Sequence, residues 1–397
     1  EYNLYYLSLK EAKNYMNILL ITPGINKKFN DNYHAYKYIA DRNNNNILAI
    51  SNKENINKGG RLITDQELEI DDSLVIHRIF NSMREQQSFF GRLYYKKKLK
   101  KILSDFRPDI IFCEEISNLR FALEIKRKLK IPVVLRTEFA FDVNSPYRSM
   151  GRLLKIFKNP LTGHRIPIFL GSLIWKWAYS NSDAVISCYF EDAVKQPEVQ
   201  GTPFYYVPWP SFLPSIDKRD KRKNHRAVFI GAFDNHKNLK ELLVTIPKLL
   251  EETPLKEFCI VGTGKNLNVI EELISKYPQS IKYSQSLSRK ECLELIRDSF
   301  FSYSPATRGG WGFIGDSWAM GTPVVVTYNH YRFNNDVDSA VTSCNEIVNR
   351  VNSLYENKNE YERLAEGGHD RFLKNHTSEA VGSSFLDICE LVTRSDA

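Results

Sequence analysis

The residues best suited to chemistry are three glycines that follow the apolar run Phe300–Tyr303: Gly309, Gly310 and Gly312. Glycines leave the backbone without Cβ atoms, so an anionic ligand can come close to bare N–H groups. The residues after them predict a short helix over Ile314–Met320, and its N-terminus would face an anion bound in the loop. This spacing predicts a phosphate-binding loop.

The residues after this loop complete a strand, loop, helix and strand. Gly321 can cap the helix, and Pro323 cannot continue it. Val324–Val326 is then a second buried strand. This order of elements is typical of one half of a nucleotide-binding α/β domain.

The stretch Ser304–Thr327 resembles the signature of retaining glycosyltransferases with the GT-B fold, in particular the GT4 family (glycosyl transferases group 1). That signature reads roughly Ser-x-x-Glu-Gly-Phe-Gly, then about five variable residues, then Glu-Ala-x-Ala-x-Gly-x-Pro-Val-Val. The matching residues are Trp311, Gly312, Ala319, Gly321, Pro323, Val324 and Val325. Asp316 stands at the second Glu position and Arg308 at the first when counted back from Pro323. Counted forward from Gly310, the segment is one residue short, and a shortened loop satisfies both counts.

The strand Ala227–Gly231 carries a second part of the resemblance. The family often has Gly-Arg-Leu followed by Lys-Gly here, and the Arg and Lys hold the donor diphosphate. Lys237 stands at the lysine position, whereas Ala232 replaces the arginine. A further strand ends in Gly262 and Gly264, which we expect to border the nucleotide.

The resemblance implies a set of site residues. The donor-binding residues it implies are Gly231, Lys237, Gly262, Gly264, Arg308, Gly309, Gly310, Trp311, Gly312 and Asp316. It implies catalytic roles for Lys237, Glu138 and Asp316, in which Lys237 stabilises the leaving diphosphate and Asp316 accepts hydrogen bonds from the ribose hydroxyls. It implies no metal and no cofactor; the donor, a UDP- or GDP-linked sugar, is a substrate.

The N-terminal half supplies the acceptor-side candidates. Met16–Thr22 is an apolar run that predicts a buried parallel strand, and Gly24 lies in the turn after it. The predicted strand Ile110–Cys113 is followed by Glu114 and Glu115, which either line the acceptor cleft or are exposed loop carboxylates. After a further strand the family commonly has a histidine, and Glu138 stands there instead.

Length and composition favour an ordinary globular protein with two domains. The chain has 397 residues, of which 42% are hydrophobic and 26% charged. No run approaches the length of a membrane helix, and the first fifteen residues lack the apolar segment of a signal peptide. They are either a helical extension or an upstream addition. The six cysteines include no Cys-x-x-Cys pair, so we expect a reducing cytoplasm.

The net charge of +8 indicates an anionic partner. The predicted helix Phe90–Phe106 would turn Leu93, Leu99 and Phe106 to the core and carry several lysines on its other face. That face is either solvated or in contact with an anionic membrane surface. Tyr147–Tyr179 mixes basic and aromatic residues and leaves the same two readings open. No nucleic-acid-binding motif accompanies the basic clusters, so we expect no nucleic acid.

The predicted fold class is α/β: a GT-B architecture, with two Rossmann-like doubly wound domains facing across a cleft. The predicted domains are an extension (1–15), an acceptor domain (16–212), a linker (213–226), a nucleotide-sugar domain (227–375) and a C-terminal helix crossing back to the first domain (376–397).

The resemblance implies a metal-independent, retaining, hexosyltransferase-like enzyme that moves a sugar from a nucleotide sugar to a glycan or lipid-linked acceptor in surface polysaccharide biosynthesis. Its expected location is cytoplasmic, with peripheral contact on the inner face of the membrane. One alternative is a degenerate GT-B protein that binds sugar nucleotide or a partner without catalysis. A dinucleotide-dependent Rossmann enzyme is disfavoured because Thr22-Pro23-Gly24 is not Gly-x-Gly-x-x-Gly.

Overall fold

A computed structural model describes residues 15–25, 31–42, 44–57, 60–63, 66–137, 156–158, 165–188, 198–199, 201–211, 225–233, 237–306, 311–327 and 333–395. The chain divides into two compact units. Unit 1 comprises Glu1–Ile186, Pro197–Tyr205 and Gly382–Ala397, and unit 2 comprises Ser187–Gln196 and Tyr206–Val381.

The strands of the first part of the chain are β1 (Asn17–Ile21), β2 (Asn46–Asn52), β3 (Glu54–Asn57), β4 (Gly60–Ile63), β5 (Leu68–Asp71), β6 (Leu74–Phe80), β7 (Ile110–Glu114), β8 (Val133–Thr137), β9 (Ile156–Lys158), β10 (Arg165–Pro167), β11 (Ala184–Ser187), β12 (Glu198–Val199) and β13 (Thr202–Tyr206). Its helices are α1 (Asp31–Asp41), α2 (Met83–Gln87), α3 (Phe89–Tyr94), α4 (Lys96–Phe106), α5 (Ile116–Leu129) and α6 (Ile168–Ser180).

The main sheet of unit 1 has the strand order β12-β13-β11-β8-β7-β1-β2-β6-β5. Strand β1 pairs in parallel with β2 on one side and β7 on the other. Such central strands are buried on both faces, which explains their continuous apolar runs. The strand order reverses between β1 and β7, and this switch point is where ligands bind in doubly wound sheets.

The second part of the chain has strands β14 (Arg226–Ile230), β15 (Glu257–Val261), β16 (Ile281–Ser284), β17 (Phe301–Ser304), β18 (Val324–Val326) and β19 (Ala340–Val341). Its helices are a short 3-10 helix (Leu239–Glu241), α7 (Leu242–Glu252), α8 (Leu267–Lys276), α9 (Arg289–Arg297), α10 (Trp311–Ala319), α11 (Ile347–Glu356), α12 (Lys358–Asn375) and α13 (Ser378–Ser395).

The sheet of unit 2 has the order β16-β15-β14-β17-β18-β19, and its neighbouring strands are parallel. This is the 3-2-1-4-5-6 order of a doubly wound nucleotide-binding domain, with the switch point between β14 and β17. A core cluster that includes Phe229, Phe258 and Phe301 packs between the sheet and its helices. The α/β class with parallel-sheet units, predicted from the apolar runs, is confirmed.

The final helix α13 counts with unit 1 from Gly382 onward. The Phe385 ring centroid lies 6.0 Å from that of Tyr36 and 5.1 Å from that of Phe112. A Cβ on Gly382 would lie 2.8 Å from the Ala35 carbonyl oxygen, so glycine allows the helix to approach α1 closely.

Two sequence-based helix predictions need correction. The single helix over Phe90–Phe106 is two helices, α3 and α4, which meet at Tyr95. The Tyr95 ring packs edge-on against Phe80, and its backbone lies outside the helical region. Leu93, expected in the core, is exposed. The helix expected from Ile314 begins earlier, at Trp311.

Among the helices within the described ranges, none is long and apolar enough to cross a bilayer. The six cysteines are free thiols, and Cys113, Cys188, Cys259 and Cys389 are buried.

Candidate active site

The switch point of unit 2 brings together the two segments that carry the sequence resemblance. Strands β14 and β17 are parallel neighbours, with Ala227 opposite Phe301. Both therefore end at the same edge of the sheet, β14 at Ile230 and β17 at Ser304. The loop containing Gly231 and the loop after Ser304 leave the sheet side by side at the usual position of a bound ligand.

Lys237 lies against the end of β14. The residue is only 9% exposed, and a Cβ built on Gly231 would lie 3.8 Å from its Cε atom. Asn238 has φ of 51°, a left-handed conformation that favours glycine, asparagine and aspartate. The family pattern has glycine at this position. The loop therefore has the backbone turn of the Lys-Gly step, with the lysine stem packed against the strand end.

Gly262 and Gly264 make room for a neighbouring loop. A Cβ on Gly262 would lie 1.9 Å from the Gly231 carbonyl oxygen, and one on Gly264 would lie 2.8 Å from the Phe233 amide nitrogen. Their φ values of 143° and 155° also disfavour a side chain. Phe233 N–H donates to the Thr263 carbonyl at 2.9 Å. The space left by these two glycines is thus filled by protein backbone, and contact with a nucleotide stays a prediction.

Sequence reasoning missed a buried carboxylate beside Lys237. Glu241, in the 3-10 helix that follows, accepts hydrogen bonds from the Tyr303 hydroxyl at 2.7 Å and from the Thr327 hydroxyl. Asn238 Nδ2 donates to it at 2.6 Å. Tyr303 and Thr327 stand at or just after the ends of β17 and β18, so this carboxylate ties the Lys237 loop to both strand ends.

Burial and the Glu241 carboxylate raise the pKa of two neighbouring groups. Burial, followed by the nearby Glu241 carboxylate, raises the pKa of the Tyr303 phenol well above its ordinary value. Burial and a hydrogen bond to Glu241 raise the pKa of the Cys344 thiol. Both groups therefore stay protonated and can keep donating to the carboxylate near neutral pH.

The glycine loop lies only partly within the described residues. Arg308, Gly309 and Gly310 are outside them. Trp311 begins α10, and Gly312 lies in its first turn. Among the described residues, none lies within 4 Å of a Cβ built on Gly312, so they leave open space beside this turn. The first-turn N–H groups of a helix have no partner within the helix itself.

Asp316 is buried on α10 and has partners of its own. Both terminal nitrogens of Arg289 donate to its two carboxylate oxygens, Nη2 to Oδ1 at 2.6 Å. Ser211 Oγ also donates to Oδ1 at 2.7 Å. The predicted ribose contact would have to use the lone pairs that these bonds leave. Arg289 was not identified from the sequence, because one arginine at a helix start carries no distinctive signal.

Helix α10 is fixed from behind by Trp318. Its indole N–H donates to the Asp338 carbonyl at 2.9 Å, and Arg371 lies over the ring at 4.7 Å. A Cβ on Gly368 of α12 would lie 2.4 Å from Trp318 Cδ1. Such packing fixes the C-terminal half of α10 against α12.

The switch point of unit 1 is closed by a second buried carboxylate. Glu114, at the end of β7, pairs with the buried Arg136 at 2.7 Å. It also accepts hydrogen bonds from Thr22, Tyr36 and Asn32. The reading of Glu114 as an exposed loop carboxylate is wrong, because Glu114 is the last residue of β7 and its carboxylate is buried among these hydrogen-bond donors.

The other acceptor-side candidates lie beside this network. Gly24 N–H donates to Thr22 Oγ1 at 3.3 Å, and that hydroxyl donates to Glu114, so Gly24 is one hydrogen bond away from the Glu114 cluster. Glu115 has φ of 68° and ψ of 137°, a conformation that costs on the order of 1–3 kcal/mol for a residue with a side chain. Glu138 lies outside the described residues.

Residues 215–371 match the family model described as glycosyl transferases group 1. The match covers the strands, loops and helices of unit 2 that build the Lys237 loop and α10. The resemblance drawn from Ser304–Thr327 is therefore confirmed. A search of curated proteins finds no match to the sequence.

Solved glycosyltransferase structures share the fold over nearly the whole chain. Sucrose-phosphate synthase from Thermosynechococcus elongatus is 14% identical with a TM-score of 0.69, covering 95% of this chain and 99% of that one. HepE from Anabaena in complex with UDP is 13% identical with a TM-score of 0.61, covering 94% and 100%. The pneumococcal O-GlcNAc transferase GtfA in complex with UDP and GlcNAc is 10% identical with a TM-score of 0.61, covering 95% and 99%. At these identities the likeness establishes the fold, which is GT-B.

Proposed function

We propose that this chain, whose residues 215–371 carry a glycosyl transferases group 1 domain on a GT-B fold, moves a sugar from a nucleotide sugar to a glycan or lipid-linked acceptor with retention of anomeric configuration. One observation carries the proposal. The Gly231 loop and the loop after Ser304, which hold the group 1 sequence pattern, leave adjacent parallel strands at the switch point of unit 2.

The groups around the leaving diphosphate have the main catalytic role in this reaction. The bond between the anomeric carbon and the diphosphate oxygen breaks with its electron pair going to that oxygen. The acceptor hydroxyl oxygen forms the new bond to the anomeric carbon and loses its proton. Lys237 and the amides at the start of α10 stabilise the charge that develops on the diphosphate, which is the largest contribution expected in such a site. The proposed reaction needs no metal.

Because a retaining transfer brings the acceptor to the face from which the nucleotide leaves, the leaving phosphate oxygen is the nearest base for the hydroxyl proton. In this mechanism the donor side has to supply only positive charge and N–H donors to the diphosphate, and Lys237 and the backbone amides supply both. Asp316 is assigned to the ribose, through the lone pairs that Arg289 and Ser211 leave.

We favour UDP as the nucleotide, because HepE and GtfA have the same fold and are described with UDP bound. The proposed acceptor is a growing surface polysaccharide or a lipid-linked glycan, held near Gly24 and Glu138 of unit 1. A lipid-linked acceptor would place the enzyme at the inner face of the cell membrane.

A second function, nucleotide-sugar binding without transfer, is favoured by two specific observations. The carboxylate at the second acidic position of the signature is already bonded to Arg289 at both oxygens, and Ala232 stands where the family often has a diphosphate-binding arginine. A chain that kept the loop but lost these contacts could bind a donor and fail to activate it.

Two measurements test these functions in turn. Thermal unfolding with UDP-, GDP- and ADP-linked sugars should show a concentration-dependent rise in the unfolding midpoint with at least one donor. Stabilisation by none of them would remove the donor-site assignment.

Donor hydrolysis by the wild type and by the Lys237→Gln variant then separates enzyme from binder. We expect the variant to lose activity by roughly 100-fold or more, while Lys240→Gln, an exposed lysine on the same segment, leaves it unchanged. Hydrolysis that does not respond to Lys237→Gln would exclude this lysine from catalysis, and its absence in the wild type would favour the binding function.

A further inference from the structure

An exposed apolar helix face lies on α3 of unit 1. Its residues are Phe89, Phe90, Leu93 and Tyr94, with exposed fractions of 62%, 79%, 49% and 82%. They occupy positions i, i+1, i+4 and i+5, which fall on one side of a helix. We call these four residues the aromatic face. Large apolar side chains concentrated in one short helix mark a docking surface more often than a scattered set does.

The opposite side of α3 fixes this orientation. A Cβ on Gly91 would lie 2.2 Å from the Glu85 carbonyl oxygen, so the helix backbone packs directly on α2. Arg92 is buried, pairs with Glu124 at 2.7 Å and donates to the Gln87 carbonyl at 2.6 Å. Turning the aromatic face inward would expose the buried Arg92 guanidinium and break its hydrogen bonds. The exposed aromatic rings are therefore a consequence of the fold.

Exposed lysines follow immediately on α4: Lys96, Lys97, Lys100 and Lys101. We call these four residues the lysine face. Leu99 is buried on the other side of the helix. Within the part of the chain that the structure describes, no carboxylate forms an ion pair with any of the four, whereas Lys98 pairs with Glu67 at 3.0 Å. The lysine face thus presents uncompensated positive charge next to the aromatic face.

We propose that the aromatic face and the lysine face together dock unit 1 on an anionic lipid bilayer. Phenylalanine, leucine and tyrosine side chains enter the boundary between headgroups and acyl chains, and lysines bind the anionic headgroups around them. The inference rests on the proposed function only for its purpose, which is to bring the enzyme to a lipid-linked acceptor. The docking itself depends on these two faces alone.

Charge favours a bilayer over a second copy of the chain as the occupant. A symmetric dimer through the aromatic face would bring the same surface patch of each copy together. The adjoining lysine faces would then lie close to each other, and like charges repel at short distance. An anionic bilayer offers an apolar layer for the rings and negative charge for the lysines at the same surface.

Flotation with vesicles tests the proposal on the full chain. The vesicles are phosphatidylcholine alone, or phosphatidylcholine with phosphatidylserine, over a series of salt concentrations. We expect the wild type to float with the anionic vesicles and to dissociate in part as salt rises, because salt screens the lysines and leaves the apolar contacts. Replacing the four lysines of the lysine face by Gln should weaken binding at least ~10-fold, given about fivefold per lysine near an anionic surface.

A second variant tests the rings. Phe90→Gln with Tyr94→Gln should weaken binding to anionic vesicles and abolish the part that persists at high salt. Matched controls remove the same number of charges or apolar side chains from exposed positions elsewhere: Arg127, Lys128, Lys358 and Lys374 to Gln, and Leu373 and Leu391 to Gln. Both controls should float like the wild type. Thermal unfolding midpoints equal to that of the wild type establish that each variant is folded.

Three results would overturn the proposal. The first is wild-type binding that does not depend on phosphatidylserine, and the second is that the lysine and aromatic variants float like the controls. The third is a wild type that is a dimer in analytical ultracentrifugation and an aromatic variant that is a monomer. The last result would assign the surface to a second copy. Failure of the proposed function looks different, because it leaves vesicle flotation intact and removes stabilisation by nucleotide sugars. Failure of the docking surface leaves that stabilisation intact.

Discussion

Arg289 donates from both terminal nitrogens to the carboxylate of Asp316, and Ser211 donates to one of the same oxygens. The pair joins the first residue of α9 to the middle of α10. In the family signature, the acidic residue at the position of Asp316 is expected to face the nucleotide. Here that carboxylate also fixes α10 against α9, so it combines a positioning role with any contact to the ribose.

The first prediction concerns this pair. Asp316→Ala and Arg289→Ala should each lower the free energy of unfolding. A double-mutant cycle should give a coupling of about 1 kcal/mol, since the arginine side chain is 43% exposed and solvent screens part of the attraction. Urea unfolding of the four proteins measures the coupling. A value indistinguishable from zero would mean that the two side chains do not interact in solution.

The second prediction contrasts two glycines. Gly264→Ala should lower the free energy of unfolding by about 1–3 kcal/mol, because its Cβ would lie 2.8 Å from the Phe233 amide nitrogen at φ of 155°. Gly312→Ala should instead stabilise the protein without donor by up to about 1 kcal/mol, since alanine favours a helix more than glycine does and the site is open.

The Gly312→Ala variant also tests where the diphosphate binds. If a diphosphate lies against the first turn of α10, the Gly312→Ala variant should need more nucleotide sugar for the same rise in unfolding midpoint. Isothermal titration with the stabilising donor gives the affinity directly. Equal affinities for the wild type and the Gly312→Ala variant would place the diphosphate elsewhere.

The sequence predicted the elements more completely than the site. Continuous apolar runs identified β1, β7 and β14, since a strand that is buried on both faces of a sheet consists mostly of apolar residues. Glu241 was missed because its partners, Tyr303 on β17 and Thr327 just after β18, lie far along the chain and meet it only in the folded sheet. The prediction for Leu93 was wrong because amphipathic spacing identifies an apolar helix face without showing whether protein covers it.

The third prediction uses His376, which is 1% exposed beside Trp318. Burial, and then the positive charge of Arg371, lower its pKa well below the ordinary value. The unfolded chain therefore binds this proton more readily than the folded chain does, and stability falls as the pH drops below about 6.5. The loss attributable to His376 has an upper limit of about 1.4 kcal/mol per pH unit.

Urea unfolding between pH 7 and pH 5 measures this dependence. The His376→Leu variant should lose less stability over the range than the wild type does, while His225→Gln, an exposed histidine, serves as the control. His77 of unit 1 also has a lowered pKa, chiefly from burial, so the readout is the difference in slope between variant and wild type. Identical slopes would show that His376 does not titrate differently in the two states.

The last prediction concerns Glu241 as the residue that positions Lys237. In Glu241→Gln an amide group replaces one oxygen that accepts from Tyr303, Thr327 or Asn238, so at least one buried donor loses its partner. We expect a loss of about 1–3 kcal/mol in the free energy of unfolding. Glu252→Gln makes the same chemical change at the exposed end of α7 and should cost little. Because the carboxylate ties the Lys237 loop to the ends of β17 and β18, Glu241→Gln should also raise the KM for donor more than Glu252→Gln does. A variant that is destabilised but keeps the wild-type KM would assign Glu241 to folding alone.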